Sequence, residues 1–229
     1  MKKIVMLICA FAVIIPAKAQ QVEKGSYQIA KIDLLNFMGL GIQKLHLAYE
    51  FSPIKENPKN LTTLQFDLTA PFNSMDYIDV VGGVEAGVQL RFYKKWNSAQ
   101  NDVQGLYFGI GMDGGWVSFT KDKDYTLEPT SSVIRTYTHK YDRVRNGIYA
   151  SIGSQAKLGE KLYFDVQLGM GWSNVNVKEK PIEIEDGYTS FNNWWWGPRS
   201  PFYILYEEGK YQQFYMPVSF SIGYNFGSK

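Results

Sequence analysis

The stretch Leu162–Trp172, LYFDVQLGMGW, decides the fold. Leu162, Phe164, Val166, Leu168, Met170 and Trp172 fall on one face, and Tyr163, Asp165, Gln167, Gly169 and Gly171 on the other. A period of two is the side-chain repeat of a β-strand. It recurs in VEAGVQLRFY, where Val84, Ala86, Val88, Leu90 and Phe92 oppose Glu85, Gly87, Gln89, Arg91 and Tyr93. It recurs again in VSFSIGYNF, with Val218, Phe220, Ile222, Tyr224 and Phe226 on one face. KLHLAYEF, LQFDLTA, GLYFGIGMD and GIYASIGSQA follow the same rule less strictly. An eighth strand is placed near Gln28 to Leu35, although Ile29 and Ile32 there fall on different faces.

One of these strands contains Gly109-Ile110-Gly111-Met112-Asp113-Gly114, a literal G-x-G-x-x-G. That pattern cradles a dinucleotide only where a helix opens on its last glycine. Here Gly115-Trp116-Val117-Ser118-Phe119 continues as strand, so no nucleotide cofactor is expected. Inward glycines instead leave room for large neighbours in a narrow lumen.

Two architectures produce such alternation. A soluble sandwich or cup turns its apolar face inward, whereas a membrane barrel turns it outward to lipid. Glu50, Asp67, Glu85, Arg91 and Asp165 interrupt the polar faces, which are otherwise rich in glycine and small residues and carry few lysines. Each strand reads as about nine to eleven residues, the length a tilted strand needs to cross a bilayer. The expected fold is all-β, an eight-stranded antiparallel up-and-down transmembrane β-barrel.

The ends agree with an envelope protein. MKKIVMLICAFAVIIPAKAQ has a basic start, a short apolar run and Ala17-Lys18-Ala19, the pattern of a secretory signal peptide cleaved near Ala19. Residues 20–229 then form one domain of about 210 residues. Cys9, the only cysteine, lies within that leader, so the mature chain has no disulfide and no thiol nucleophile. The formal net charge is only +2 with no basic cluster, which argues against a nucleic-acid partner. Aromatic residues make up 16%, suited to many interfacial positions.

Connection lengths set the topology. KLGEK is tight, and SPIKENPKN and KKWNSAQNDVQG lie on its side. The opposite side carries PFNSMDYIDVVGG and long loops at about 120–146 and 174–215, so that side is expected to face outward, and TSSVIRTYTH in the first of them alternates weakly, as a hairpin extended above the membrane would.

With its leader, its alternating strands, its GMGW and GIGMDGG pieces and its terminal VSFSIGYNF, the mature chain resembles the small eight-stranded outer-membrane proteins of the OmpA-like and OmpW-like kind. The resemblance implies a location in the outer membrane of a Gram-negative bacterium. It implies contact with membrane lipid and lipopolysaccharide, and biogenesis through the barrel-assembly machinery. That machinery usually reads a terminal aromatic residue, whereas here Phe226 is followed by Gly227-Ser228-Lys229.

The lumen of eight strands is just filled by side chains, so no open pore is expected. Buried charges must be paired. Two stacked networks are expected, with Glu50, Arg91, Lys157 and Asp165 in the lower half and His46, Asp67, Glu85, Asp113 and Arg145 in the upper half. The alternative is a binding or catalytic cluster around His46. His46 and His139 are the only histidines, and no His/Ser/acid spacing resembles the lipid A deacylases or palmitoyl transferases. No catalytic residue, metal site or cofactor is expected. The segment NNWWWGPRSPFYILYEEGKYQQFY reads as interfacial aromatics, or as a recognition surface on Trp194, Trp195 and Trp196 for an extracellular protein or glycan. A structural or surface-recognition role is the leading expectation. A small-ligand-binding barrel or a lipid-modifying enzyme is the alternative.

Overall fold

A computed structural model describes residues 27–35, 43–52, 60–72, 78–94, 103–127, 134–186, 188–190 and 206–226. The fold is all-β. The strands are β1 (Gln28–Asp33), β2 (Lys44–Phe51), β3 (Asn60–Pro71), β4 (Asp79–Lys94), β5 (Gly105–Thr126), β6 (Ile134–Lys157), β7 (Leu162–Glu179), β8 (Thr189–Ser190), β9 (Gly209–Tyr215) and β10 (Val218–Asn225). They form one antiparallel sheet in the order β10-β1-β2-β3-β4-β5-β6-β7-β9, and the two-residue β8 adds to β5. β10 pairs with β1 on one side and β7 on the other, so nine strands close into a ring.

β9 and β10 lie along β7 in one register, Gly171 opposite Tyr215 and Leu168 opposite Val218. Pro217 separates them because it has no N–H for the ladder. Its carbonyl still accepts the Gly169 N–H at 2.8 Å.

The alternation resolves into an apolar outside and a polar inside. Leu106, Phe108, Ile110, Met112 and Trp116 stand exposed along β5, while Tyr107 and Val117 are buried. On β7, Leu162, Val166, Leu168, Met170 and Trp172 are exposed, while Tyr163, Asp165, Gln167 and Ser173 are buried. Above Trp116 and Trp172 the outward positions turn polar, as Ser118, Thr120, Asp122 and Asp124 on β5 and Asn174, Asn176 and Lys178 on β7. From Leu106 to Trp116 a strand rises about 33 Å, or about 25 Å along the axis at a tilt near 40°.

The ring interior has three levels. At the end carrying the tight β6–β7 turn, Tyr27, Ile29, Leu61, Tyr93, Val103, Tyr107 and Tyr163 pack together. Charged and amide side chains occupy the middle. At the other end Ile78, Phe119, Tyr141, Val175 and Val177 form a second cluster against Tyr206 and Tyr211.

Three strands are longer than expected: β5 has 22 residues, β6 has 24 and β7 has 18. The stretch expected as a loop from 120 to 146 is therefore mostly a continuing hairpin, and the one expected from 174 to 215 holds the end of β7, which runs on to Glu179, with β8 and β9. In this extension the outward positions are polar and the apolar ones, Val175 and Val177 among them, turn inward, so no outward apolar face marks it. Cross-strand hydroxyl–carboxylate bonds hold it: Thr136 donates to Asp124 at 2.7 Å and Thr138 to Asp122 at 2.6 Å.

Glycines seat tyrosines inside the ring. Tyr107 pairs in register with Gly153, and Tyr149 with Gly111. A Cβ on Gly153 would lie 2.2 Å from the Tyr107 ring, and one on Gly111 2.5 Å from the Tyr149 ring. The large neighbour of each glycine is the adjacent cross-strand residue rather than one across the lumen.

Candidate functional site

The lower polar level is a four-charge cluster assembled from four strands. Lys31 Nζ on β1 lies 2.5 Å from Glu50 Oε2 on β2 and 2.6 Å from Asp165 Oδ2 on β7. Arg91 Nη1 on β4 lies 2.6 Å from Asp165 Oδ2 and 3.3 Å from Glu50 Oε2. All four side chains are about 1–2% exposed. Amides and phenols satisfy the remaining sites. Arg91 Nε donates to Gln89 at 2.7 Å, and Arg91 Nη2 donates to Gln167 at 2.8 Å. Tyr93 donates to Glu50 at 2.7 Å, and Tyr107 donates to Asp165 at 2.9 Å. The guanidinium also stacks 4.4 Å over the Tyr107 ring. Two cations facing two anions give a neutral, hydrogen-bonded plug, the arrangement under which buried charge is tolerated.

Glu50, Arg91 and Asp165 thus meet. Lys157 sits half-buried near the end of β6, opposite Tyr163. The second cation touching both carboxylates is Lys31, which the sequence reading missed. The signal was present: in QIAKID, Lys31 and Asp33 share one face at a spacing of two.

The upper level surrounds a chamber of about 310 Å³. His46 stands between two carboxylates, with Nδ1 3.2 Å from Asp33 and Nε2 3.0 Å from Asp67. Lys44 reaches Glu85 at 2.7 Å, and Arg145 reaches Asp113 at 2.6 Å. Arg143 lies 3.7 Å from Glu85. The residues expected in the upper half, His46, Asp67, Glu85, Asp113 and Arg145, all line this chamber. Lys44, Asp33 and Arg143 complete the pairs and were not singled out from sequence. Gln65 Oε1, Asp113 Oδ1 and Arg145 Nε are buried without a hydrogen-bond partner, so the chamber suits water or a small polar solute.

This geometry sets what the chamber can do. A histidine acting as general base needs a free ring nitrogen facing a nucleophile. Both His46 nitrogens face carboxylates, the arrangement of an imidazolium donating twice. Among the described residues no group of three or more His, Cys, Asp and Glu could hold a metal ion.

A third polar cluster lies in the extension. His139, on β6 and about 1% exposed, contacts Glu179 through Nδ1 and the Tyr125 hydroxyl through Nε2 at 3.0 Å. Its ring stacks on Tyr125 with centroids 5.6 Å apart. Glu179 also accepts from Lys123 at 2.9 Å and from Tyr141 at 3.0 Å. Burial alone would raise the Glu179 carboxyl, but the bonds from Lys123, His139 and Tyr141 outweigh it and hold the group below its ordinary range. Burial pushes the Tyr141 phenol up to about 12, with Lys123 opposing and Glu179 assisting. Sequence reading put His139 in an outer loop among threonines, whereas it is a packed strand residue. Trp194, Trp195 and Trp196 lie outside the described residues.

No protein-family model matches this chain, and neither a curated protein nor a solved structure matches it.

Proposed function

We propose that this chain is an eight-stranded up-and-down β-barrel of the outer membrane, with a structural or surface-recognition role and a plugged lumen. The observation that carries the reading is the inverted distribution of polarity. Exposed Leu106, Ile110, Ile148, Ile152, Leu168 and Met170 surround a ring whose interior holds Lys31, Glu50, Arg91 and Asp165. In water that arrangement wastes the hydrophobic effect, and in a bilayer it is the favourable one. The outward apolar stretch on β5, about 25 Å tall, agrees with the hydrocarbon band of such barrels. Counted by their shared register on β7, β9 and β10 make one course, which brings the ring to eight. β10 joins β7 to β1 and so closes the ring, as a sheet that crosses a membrane requires, while β9 is paired on its β7 side among the described residues.

Recognition falls to the end where β5, β6 and β7 rise beyond the apolar band, together with the segment holding Trp194 to Trp196. An extracellular protein or glycan is the expected partner there, and lipid the partner of the belt. The chamber favours a second reading, a small polar ligand held between Arg145, Asp113 and Gln65. Catalysis is disfavoured by the double engagement of His46.

The deciding experiment compares gel mobility of boiled and unboiled protein extracted from outer membranes. A folded barrel changes mobility only on heating. A protein found water-soluble in the periplasm, with no heat-dependent shift, would rule the reading out.

A further inference from the structure

The upper chamber, about 310 Å³, is at the small end of protein ligand pockets, which run from about 300 Å³ upward. Solvent reaches it, because Lys44 and His46 on its wall stay partly exposed. Charge around it is abundant but already paired. Lys44 and Arg143 face Glu85, Arg145 faces Asp113, and His46 faces Asp33 and Asp67. With His46 as the imidazolium, four cations match four anions. An ionic ligand would have to break a pair that is already made, whereas a neutral one would not.

Hydrogen-bonding capacity, by contrast, is left over. Gln65 Oε1, Asp113 Oδ1, Arg145 Nε, Ser173 Oγ and Gln213 Oε1 are buried with no partner among the described residues. They come from five strands and fall within three successive inward rows of the ring. Gln65 is only 5% exposed, and with Asp113 and Arg145 it lines the chamber. The row of Asp113 runs on through Gly147 to Ser173 and Gln213. Gly147 keeps that row open, since a Cβ there would lie 2.7 Å from Asp113 Oδ1 and 2.8 Å from the Tyr215 hydroxyl. Folded interiors leave few polar atoms unpaired, so this concentration marks a place where another molecule supplies the bonds. The leftover sites are single acceptors and single donors. A hydroxyl group matches both kinds, because it donates once and accepts twice. Beside these sites stand Tyr149 and Tyr215, rings 6.4 Å apart, which give the same chamber an aromatic wall. Water would satisfy the polar atoms but has no use for that wall.

We infer that the chamber binds one neutral monosaccharide. Hydroxyls on one edge of the sugar ring donate to Gln65 Oε1 and Asp113 Oδ1 and accept from Arg145 Nε. The C–H face of the ring lies against the tyrosine wall. The inference deepens the small-ligand reading above and rests on it. The volume admits one sugar ring and excludes an oligosaccharide. An amino acid, another polar solute of suitable size, brings two full charges to a site where every ion is already paired.

The test titrates the full chain with D-glucose, D-galactose and D-mannose, with glucuronate as the charged counterpart and with alanine. The detergent carries a phosphocholine headgroup, so it supplies no sugar of its own, and saturation-transfer nuclear magnetic resonance reads binding. Arg145→Lys keeps a cation beside Asp113 and removes Nε. Ser219→Trp places a large ring in the chamber from its wall. Both are read in protein that keeps the wild-type β-sheet circular dichroism, and they act by different means, so one suffices if the other does not fold. The expected result is saturable binding of at least one hexose, with glucuronate and each variant weaker by about tenfold or more. Hexose binding unchanged in either folded variant, or matched by glucuronate, would overturn the inference. Binding of alanine but of no hexose would also overturn it and leave the small-ligand reading standing. Binding of none of these solutes would overturn both.

Discussion

Arg91 Nη1 lies 2.6 Å from Asp165 Oδ2 at the centre of the ring, between strands that do not pair with each other. The contact crosses the lumen, so it ties opposite walls rather than neighbours. Lys31 and Glu50 complete a set with two charges of each sign.

Removing one member of that set leaves an uncompensated buried charge. Arg91→Met and Asp165→Asn are each expected to cost about 3–5 kcal/mol. The double variant leaves Lys31 facing Glu50 and should cost clearly less than the sum. Urea unfolding of detergent-folded protein, run as a double-mutant cycle, measures the coupling. Additive costs would mean that the two charges do not share one network.

Three positions on β7 and β10 should tolerate change differently. Leu168 is exposed on the apolar belt, and Leu168→Arg is expected to cost about 2–4 kcal/mol in lipid. Its inward neighbour Gln167 accepts from Arg91 at 2.8 Å. Gln167→Ser should therefore cost about 1.5–3 kcal/mol, the worth of a hydrogen bond to a charge. Ser219 faces the chamber, and Ser219→Ala should change stability by less than about 0.5 kcal/mol. Unfolding in lipid vesicles separates Ser219→Ala from the other two. A harmless Leu168→Arg would count against lipid at that position.

Gly153 seats Tyr107, and Gly153→Ala would push the ring off Asp165. The expected cost is about 1–3 kcal/mol of overpacking. Adding Tyr107→Ala should abolish that extra cost, so the double variant unfolds with Tyr107→Ala alone. A penalty for Gly153→Ala that persists without the ring would place its cause in the backbone.

The extension should respond to acid through Glu179. Its carboxyl is held below the ordinary value of about 4.3 by its three donors, so its contribution is complete above that value. The contribution is lost as pH falls through the depressed value. Packing of the extension is thus expected to be constant from neutral pH to about pH 5 and to loosen below about pH 4. Near-ultraviolet circular dichroism of the stacked tyrosines follows the change. In Glu179→Gln the signal should be weaker at neutral pH and flat with acid, and an unchanged acid transition in that variant would assign it to another group.

Much of this molecule is visible in one dimension. The two-residue period of LYFDVQLGMGW and its counterparts is a local property, because a strand turns successive side chains to opposite faces whatever surrounds it. Eight of the strands, the all-β class and the sharing of a face by Glu50, Arg91 and Asp165 with small and amide residues therefore followed from sequence alone, whereas β8 and β9 lie in the stretch read as a loop from 174 to 215. Hydrophobic period says little about how far a strand continues once its outward face turns polar, so β5 and β6 rose past the point where an outward apolar face stopped marking them. Nor can it choose partners. Lys31 meets Glu50 on the neighbouring β2, and it meets Asp165 because ring closure through β10 leaves one strand between β1 and β7. His46 lies between Asp33 and Asp67 because three consecutive strands place them at one level. Those pairings depend on register and closure, which are set by the whole sheet and carried by no single segment of it.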